Sequence, residues 1–240
     1  MIESFDRIVL AVDEVGAAAA AYAALLGVPA TLRHSEAGPE LRDEKRDEKT
    51  EGEAWFVLDN TTMVLRSEPA QAGRIVELVF ADESAGNMPV PLDNSRELNL
   101  AACSPSATAA LRLAQGPQAR VDHLVLRTAD ADDCVRLFAE ALGLRLALDK
   151  TVEKWGGRML FFRLGKLTLE VIETQEKKPS RDYFWGIAYQ CDDLGREAER
   201  LRLAGVQLSA VRDGRKPGTR VATVKSHDLG VPTLLLQPAS

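Results

Sequence analysis

Val121-Asp122-His123-Leu124-Val125-Leu126-Arg127-Thr128-Ala129-Asp130 reads as a short strand running into an acidic helix start. An earlier stretch, Phe5-Asp6-Arg7-Ile8-Val9-Leu10-Ala11-Val12-Asp13, has the same pattern. Each leads into a helix that stops at a Leu-Gly pair, Leu26-Gly27 after the first and Leu142-Gly143 after the second. Arg7 to Gly27 and His123 to Gly143 span the same distance along the chain. Glycine at that point suits the left-handed residue that closes a helix. Self-similarity of this kind signals a repeated structural unit.

The correspondence continues outward. Phe56-Val57-Leu58-Asp59-Asn60-Thr61-Thr62-Met63-Val64 matches Phe162-Arg163-Leu164-Gly165-Lys166-Leu167-Thr168-Leu169-Glu170. Each is predicted as two strands joined by a two-residue turn of positive φ, Asp59-Asn60 or Gly165-Lys166. The first half is longer between its matched strands, and the excess falls on the mixed-charge run from Glu40 to Glu53, which reads as a solvated loop insertion. A second strand–helix–strand unit follows in each half. Gly186 to Asp193 is a strand leading into a helix, Leu194 to Ala204, with Gly205 behind it. Val211 to Thr223 and Val231 to Gln237 supply the returning strands. In the first half, Ile75 to Asp82 and a late strand, Arg96 to Ala102, are the counterparts, with the helix between them lost. The boundaries predicted are 1–103, a linker at 104–119 rich in Ala, Ser, Pro and Gln, and 120–240.

Composition narrows the classes. The chain has 240 residues, long enough for a substantial core without disulfide or metal staples. Lys and Arg number 30 against 36 Asp and Glu, a net charge of −6, which argues against nucleic acid as a partner. No apolar run has the length of a membrane span. Met1-Ile2-Glu3-Ser4-Phe5-Asp6 lacks the basic and apolar regions of a secretory signal. Cys103, Cys134 and Cys191 are far apart and odd in number, so reduced thiols in a cytoplasmic protein are the plain reading. The chain carries no glycine-rich dinucleotide fingerprint, phosphate loop, serine elbow or zincin motif, and no nucleotide cofactor is expected.

A βαβββ–βαβββ order, given twice, resembles the vicinal oxygen chelate superfamily, which includes glyoxalase I, extradiol dioxygenases, methylmalonyl-CoA epimerase and bleomycin-resistance proteins. Three motifs carry the resemblance: Val121 to Leu126, Leu167-Thr168-Leu169-Glu170-Val171-Ile172-Glu173, and Gly230-Val231-Pro232-Thr233-Leu234-Leu235-Leu236. It implies an α+β fold of tandem βαβββ modules, with mixed sheets curved into cups and helices outside. It is good over 120–240 and weaker over 1–103.

Strand alternation sorts side chains between cup and helices. His123, Val125 and Arg127 face the cup, as do Thr168, Glu170 and Ile172. Gly186, Ala188 and Gln190 also face it, with Leu234 and Leu236. In metal-dependent relatives four inward positions hold a divalent cation. The resemblance carries these to His123, Glu170, Gly186 and Leu234. His123 and Glu170 match the ligand pattern of Zn, Mn, Fe or Ni, whereas Gly186 and Leu234 depart from it. A further ligand would have to come from His227 or Glu173. His123 and Glu170 are equally readable as a hydrogen-bonded pair or as metal-free acid–base groups. In the first half the matched positions are Arg7, Val64, Ile75 and Leu100. There Arg7, Arg66 and Glu77 point inward and read as a salt-bridge cluster.

Five further residues are candidate substrate contacts: Arg127, Trp185, Gln190, Arg215 and Arg220. Arg215 and Arg220 flank a Pro-Gly turn and suit a carboxylate or phosphate. Tyr183-Phe184-Trp185 and Trp155 suit apolar pocket walls. Two functions stay open. One is a glyoxalase- or dioxygenase-like enzyme doing metal-assisted lyase, isomerase or epimerase chemistry on a small oxygenated molecule, with His123 and Glu170 catalytic. The other is a metal-free small-molecule binding protein of the bleomycin-resistance type. A cup-facing His and Glu, in a chain with 3 histidines, favour the enzyme. The shortened first half leaves sheet edges that a homodimer would cover.

Overall fold

The computed structural model describes residues 1–34, 52–105, 119–153, 156–176 and 178–239. Most of the Glu40–Glu53 charge run, most of the 104–119 linker and Trp155 lie outside the described residues. The first half runs β1 (Ile2–Val12), α1 (Val15–Leu26), β2 (Thr31–His34), β3 (Gly52–Val57), β4 (Thr62–Ser67), β5 (Arg74–Asp82), β6 (Val90–Pro91) and β7 (Leu100–Cys103). In the second half β8 (Arg120–Thr128) leads into α2 (Ala131–Cys134), which continues as a wider π-type turn, Val135–Ala141. Then come β9 (Arg145–Val152), β10 (Gly157–Leu164), β11 (Leu167–Thr174), β12 (Tyr183–Gln190), α3 (Leu194–Leu203), β13 (Arg212–Asp213), β14 (Arg220–Thr223) and β15 (Thr233–Gln237).

The two halves build sheets of the same plan. The first has strand order β2-β3-β4-β1-β5-β7-β6, and the second, read from its far edge, β9-β10-β11-β8-β12-β15-β14-β13. Both are mixed: β1 is parallel to β4 and antiparallel to β5, just as β8 is parallel to β11 and antiparallel to β12. The α+β tandem architecture expected from the repeat is therefore the architecture observed.

Local sequence explains the helices. α1 is rich in alanine, the best helix former. Glu14 caps its start by accepting from the Gly16 and Ala17 amides, and Gly27 closes it at φ 70°. Asp130 and Asp193 cap α2 and α3 through the amides of Asp133 and Arg196. The core is one apolar cluster running through both halves, with Phe5, Ile8 and Leu10 of β1 and Val121, Leu124 and Leu126 of β8 on its helix-facing side.

Phe5 and Ile8 are three residues apart yet face the same way, as do Val121 and Leu124. A β-bulge in each strand accounts for this. The pairing of β1 with β5 slips between Phe5 and Arg7, and that of β8 with β12 slips between His123 and Val121. One extra residue, Asp6 or Asp122, is thereby turned onto the same face as its neighbour. A second pair of bulges sits at Val76 and Trp185.

Three expectations change. The turn after β3 spans four residues, Leu58 to Thr61, closed by the Leu58 amide on the Thr61 carbonyl, and Asp59 and Asn60 do not adopt positive φ. Asn60 instead grips the second half, its side chain bonding both the Val121 amide (3.0 Å) and the Val121 carbonyl (2.7 Å). The late strand starts at Leu100 rather than Arg96. The Asn94 side chain accepts from the Arg96 and Leu98 amides and folds that segment into a turn. Register also moves two matched positions. Gly186 and Glu77 stand opposite Val125 and Val9, so Glu77 is the counterpart of Gly186, not Ile75. Leu234 lies beside Ala188, as Ala101 lies beside Val79, so Ala101 replaces Leu100.

The halves are locked by buried polar contacts. Arg96 forks onto Asp182 at 2.8 and 2.7 Å and reaches Asp133 at 3.2 Å. Arg200 donates to the Ala24 and Leu25 carbonyls at the end of α1. The Tyr22 and Tyr189 hydroxyls share a buried hydrogen bond. Gly73 and Gly230 bring two backbones together so closely that a Cβ on Gly230 would stand 3.0 Å from the Gly73 Cα. Among the described residues, no helix is long and apolar enough to cross a membrane.

Candidate active site

The bulge in β8 creates the site. It turns Asp122 and His123 together onto the concave face of the second sheet, where Nδ1–H of His123 donates to Asp122 Oδ2 at 2.8 Å. The tautomer follows from that partner. Nε2 then points along the cup toward Glu170 Oε2, 3.8 Å away. Parallel pairing explains why they meet: His123 sits beside Thr168 of β11, and Glu170 follows two residues on, on the same face. The His123 and Glu170 side chains are 16% and 14% exposed, enough to meet a ligand while shielded from bulk water.

Burial pushes the Glu170 carboxyl above the usual carboxylate range, against the opposing pull of His123 and Arg215. Asp122 moves the other way. Burial opposes its charge, but the His123 hydrogen bond, with Arg120 and Arg163 nearby, outweighs that and lowers its pKa. The two carboxyls flanking one imidazole thus differ in proton affinity, the arrangement that separates acid from base in a proton-transfer site.

The donor set does not fit a divalent metal held by four inward side chains. His123 Nε2 and Glu170 Oε2 are the two donors. Gly186 offers none, and a Cβ there would stand 2.7 Å from the Pro232 carbonyl oxygen, so no ligating side chain fits without moving backbone. Leu234 is apolar. Glu173 shares the strand face of Leu169 and Val171, away from the cup, and pairs with Lys178 at 3.2 Å. His227 lies in the loop before β15 at φ 65°, its Nδ1 bonded to the Ser226 hydroxyl. Among the described residues no group of three or more His, Cys, Asp or Glu is placed to hold a metal ion.

The candidate substrate contacts divide. Arg215 is exposed, and its charge reaches Glu170. Gln190 faces the cup but is engaged, accepting from Arg120 Nη2 at 2.6 Å. Arg220 falls on the face of β14 that carries buried Ala222, opposite to Val221 and Thr223, and so points away from the cup. Arg127 and Trp185 stand at the far end of the sheet, on a cleft between the halves. Asp122 was missing from the sequence-level set, because simple alternation turns it away. The signal was present in the repeat: an Asp precedes the inward residue in both halves.

The first cup is filled by its own side chains. Arg7 occupies the place of His123, bonds Asp6 at 2.7 Å and reaches Cys103 Sγ at 3.2 Å. The Trp55 ring lies under both Arg7 and Arg33, at 4.7 and 4.1 Å. Arg66 pairs with Glu53 and Glu77, each at 2.8 Å. Arg7 makes no ion pair with Glu77 but joins the Arg66–Glu77 pair through Trp55, whose Nε1–H donates to Glu53 at 2.8 Å.

The two sheets share one strand order, the tandem arrangement that the sequence resemblance implies. Residues 120–228 match the model of the Glyoxalase/Bleomycin resistance protein/Dioxygenase superfamily. Among solved structures, a triple mutant of 4-hydroxymandelate synthase from Streptomyces coelicolor is similar over 100% of this chain and 94% of its own, with a TM-score of 0.73 at 14% identity. That likeness is one of fold. Methylmalonyl-CoA epimerase from Mycobacterium tuberculosis matches 50% of this chain and 88% of its own at 22% identity, with a TM-score of 0.42. No curated protein matches the chain in sequence.

Proposed function

We propose that the second cup binds a small oxygenated molecule, and that His123 and Glu170 move a proton on it without a metal ion held by the protein. The reading rests chiefly on the Asp122–His123–Glu170 chain across the concave face. Asp122 fixes the imidazole with its Nε2 lone pair facing the cup and stabilises the imidazolium formed when that nitrogen takes a proton. A carbon–hydrogen bond beside a carbonyl is the bond such a base is suited to break. Glu170, with its raised proton affinity, can hydrogen-bond the oxygen on which charge then develops, or return the proton. Arg215 supplies positive charge for a substrate carboxylate. The chemistry is of the isomerase or epimerase kind.

Deuterium wash-in tests this. Chelator-treated protein is incubated in heavy water with a panel of small oxo acids and hydroxy ketones, and loss of a C–H signal is followed by proton NMR. Exchange should persist after chelation and fall by roughly 10²–10⁴-fold in His123→Gln, the usual range for a general base. Exchange that stops on chelation and returns with one added metal would refute the reading. The empty donor positions at Gly186 and Leu234 favour a second reading, a binding protein without turnover. Its signature is a ligand bound equally well by wild type and His123→Ala, with no exchange.

A further inference from the structure

We infer that the cleft between the two halves is a second ligand site, suited to a planar aromatic carboxylate. The cleft has a volume of about 780 Å³ and is lined from both halves. That lies within the usual range for small-molecule pockets. It sits at the opposite end of β8 from His123, at Arg127, so it is separate from the cup site.

Its lining has two parts. Three arginines line it, Arg74, Arg127 and Arg181, beside two acids, Glu97 and Asp182. Arg127 donates to the Thr174 hydroxyl, while neither Arg74 nor Arg181 has an ion-pair partner among the described residues. In a chain of net charge −6 such a cluster is an exception, because acids are in surplus to neutralise it. Asp182 on the same wall is already occupied by Arg96. The second part is aromatic. Tyr183 and Trp185 are 44% and 45% exposed, although most large apolar side chains of this protein are buried. The bulge at Trp185 is what turns this ring out of the alternation that buries Phe184 and Ile187. Flat rings offer a stacking surface for an aromatic body, and guanidinium forks match the two oxygens of a carboxylate. At the rim, Glu97 is held at φ 53°, a conformation that an L residue keeps only when its surroundings impose it. The turn held by Asn94, whose carbonyl accepts from the Glu97 amide and whose side chain accepts from the Arg96 and Leu98 amides, supplies that constraint.

Calorimetric titration of the full chain with 2-naphthoate, 2-naphthamide and inorganic phosphate tests the site. Naphthoate should bind at least about tenfold more tightly than either of the other two, since each lacks half of the recognition. An Arg74→Gln/Arg181→Gln double variant should lose about tenfold in naphthoate affinity while keeping its unfolding midpoint, because both residues are exposed. His123→Gln should leave the affinity unchanged. Equal binding of the amide, equal binding of phosphate, indifference to the double substitution, or no binding of naphthoate at millimolar concentration would each overturn the inference. Loss of binding in His123→Gln would do so too, by placing the ligand in the cup.

Discussion

Replacing Arg96 by Met keeps the aliphatic stem and removes the guanidinium that joins the two halves. The Asp182 side chain is fully buried, and Arg96 is 16% exposed. The variant leaves that carboxylate with the Thr128 hydroxyl at 2.8 Å and the Ala129 amide at 3.3 Å, but without its countercharge. At an effective dielectric near 20, a unit pair about 4 Å apart interacts by roughly 4 kcal/mol. Breaking a buried pair from one side typically costs about 3–5 kcal/mol. The hydrogen bonds that survive place the expectation at the lower end, about 3 kcal/mol. For a chain of this length that is a fall in Tm of roughly 6–12 °C. Urea unfolding followed by circular dichroism gives the free energy, and an Asp182→Asn partner variant completes a double-mutant cycle. The two single losses should exceed the double loss by at least about 1.5 kcal/mol, the mark of direct coupling. A loss below about 1 kcal/mol in Arg96→Met, or additive single effects, would show that the fork is not what binds the halves.

Further outcomes follow from the same contacts. Glu170→Gln should stabilise the protein at neutral pH. A carboxyl whose folded pKa is raised contributes fully below its unfolded pKa and loses that contribution as pH rises through the folded value, so the gain should vanish in acid unfolding curves. Asp122→Asn should slow deuterium wash-in by about 10²-fold or more while leaving the fold intact by circular dichroism, since it withdraws the acceptor that orients His123. Gly186→Ala should destabilise by about 1–3 kcal/mol in urea, because its Cβ meets the Pro232 carbonyl at 2.7 Å. Asn60→Ala should lose about 1–3 kcal/mol by the same measure, as the Val121 amide and carbonyl are left unmet.

The repeat was legible because each strand repeats an alternation that buries one face, and because Gly27, Gly143 and Gly205 mark helix ends at φ 70°, 73° and 80°. His123 and Glu170 were placed together for the same reason: parity along two neighbouring strands. Bulges interrupt parity, and that is where the reading failed. Asp122 was turned away on paper, and the positions matched to Gly186 and Leu234 slipped to Ile75 and Leu100. The contacts that join the halves were illegible for a different cause. Arg96 and Asp182 are 86 positions apart, and neither stands in a pattern that periodicity detects. Arg127 was read as an inward residue and Trp185 as a pocket wall, but alternation along one sheet carries no information about what the other half sets against its far end.

The paired bulges at Asp6 and Asp122 bear on how the first half could be engineered. The first half carries the same backbone distortion that presents Asp122 beside His123 in the second, with Arg7 in the place of the imidazole. Arg7→His with Val64→Glu would place the same side-chain pair at the matched positions of the first sheet, with Trp55 as the obstacle to clear.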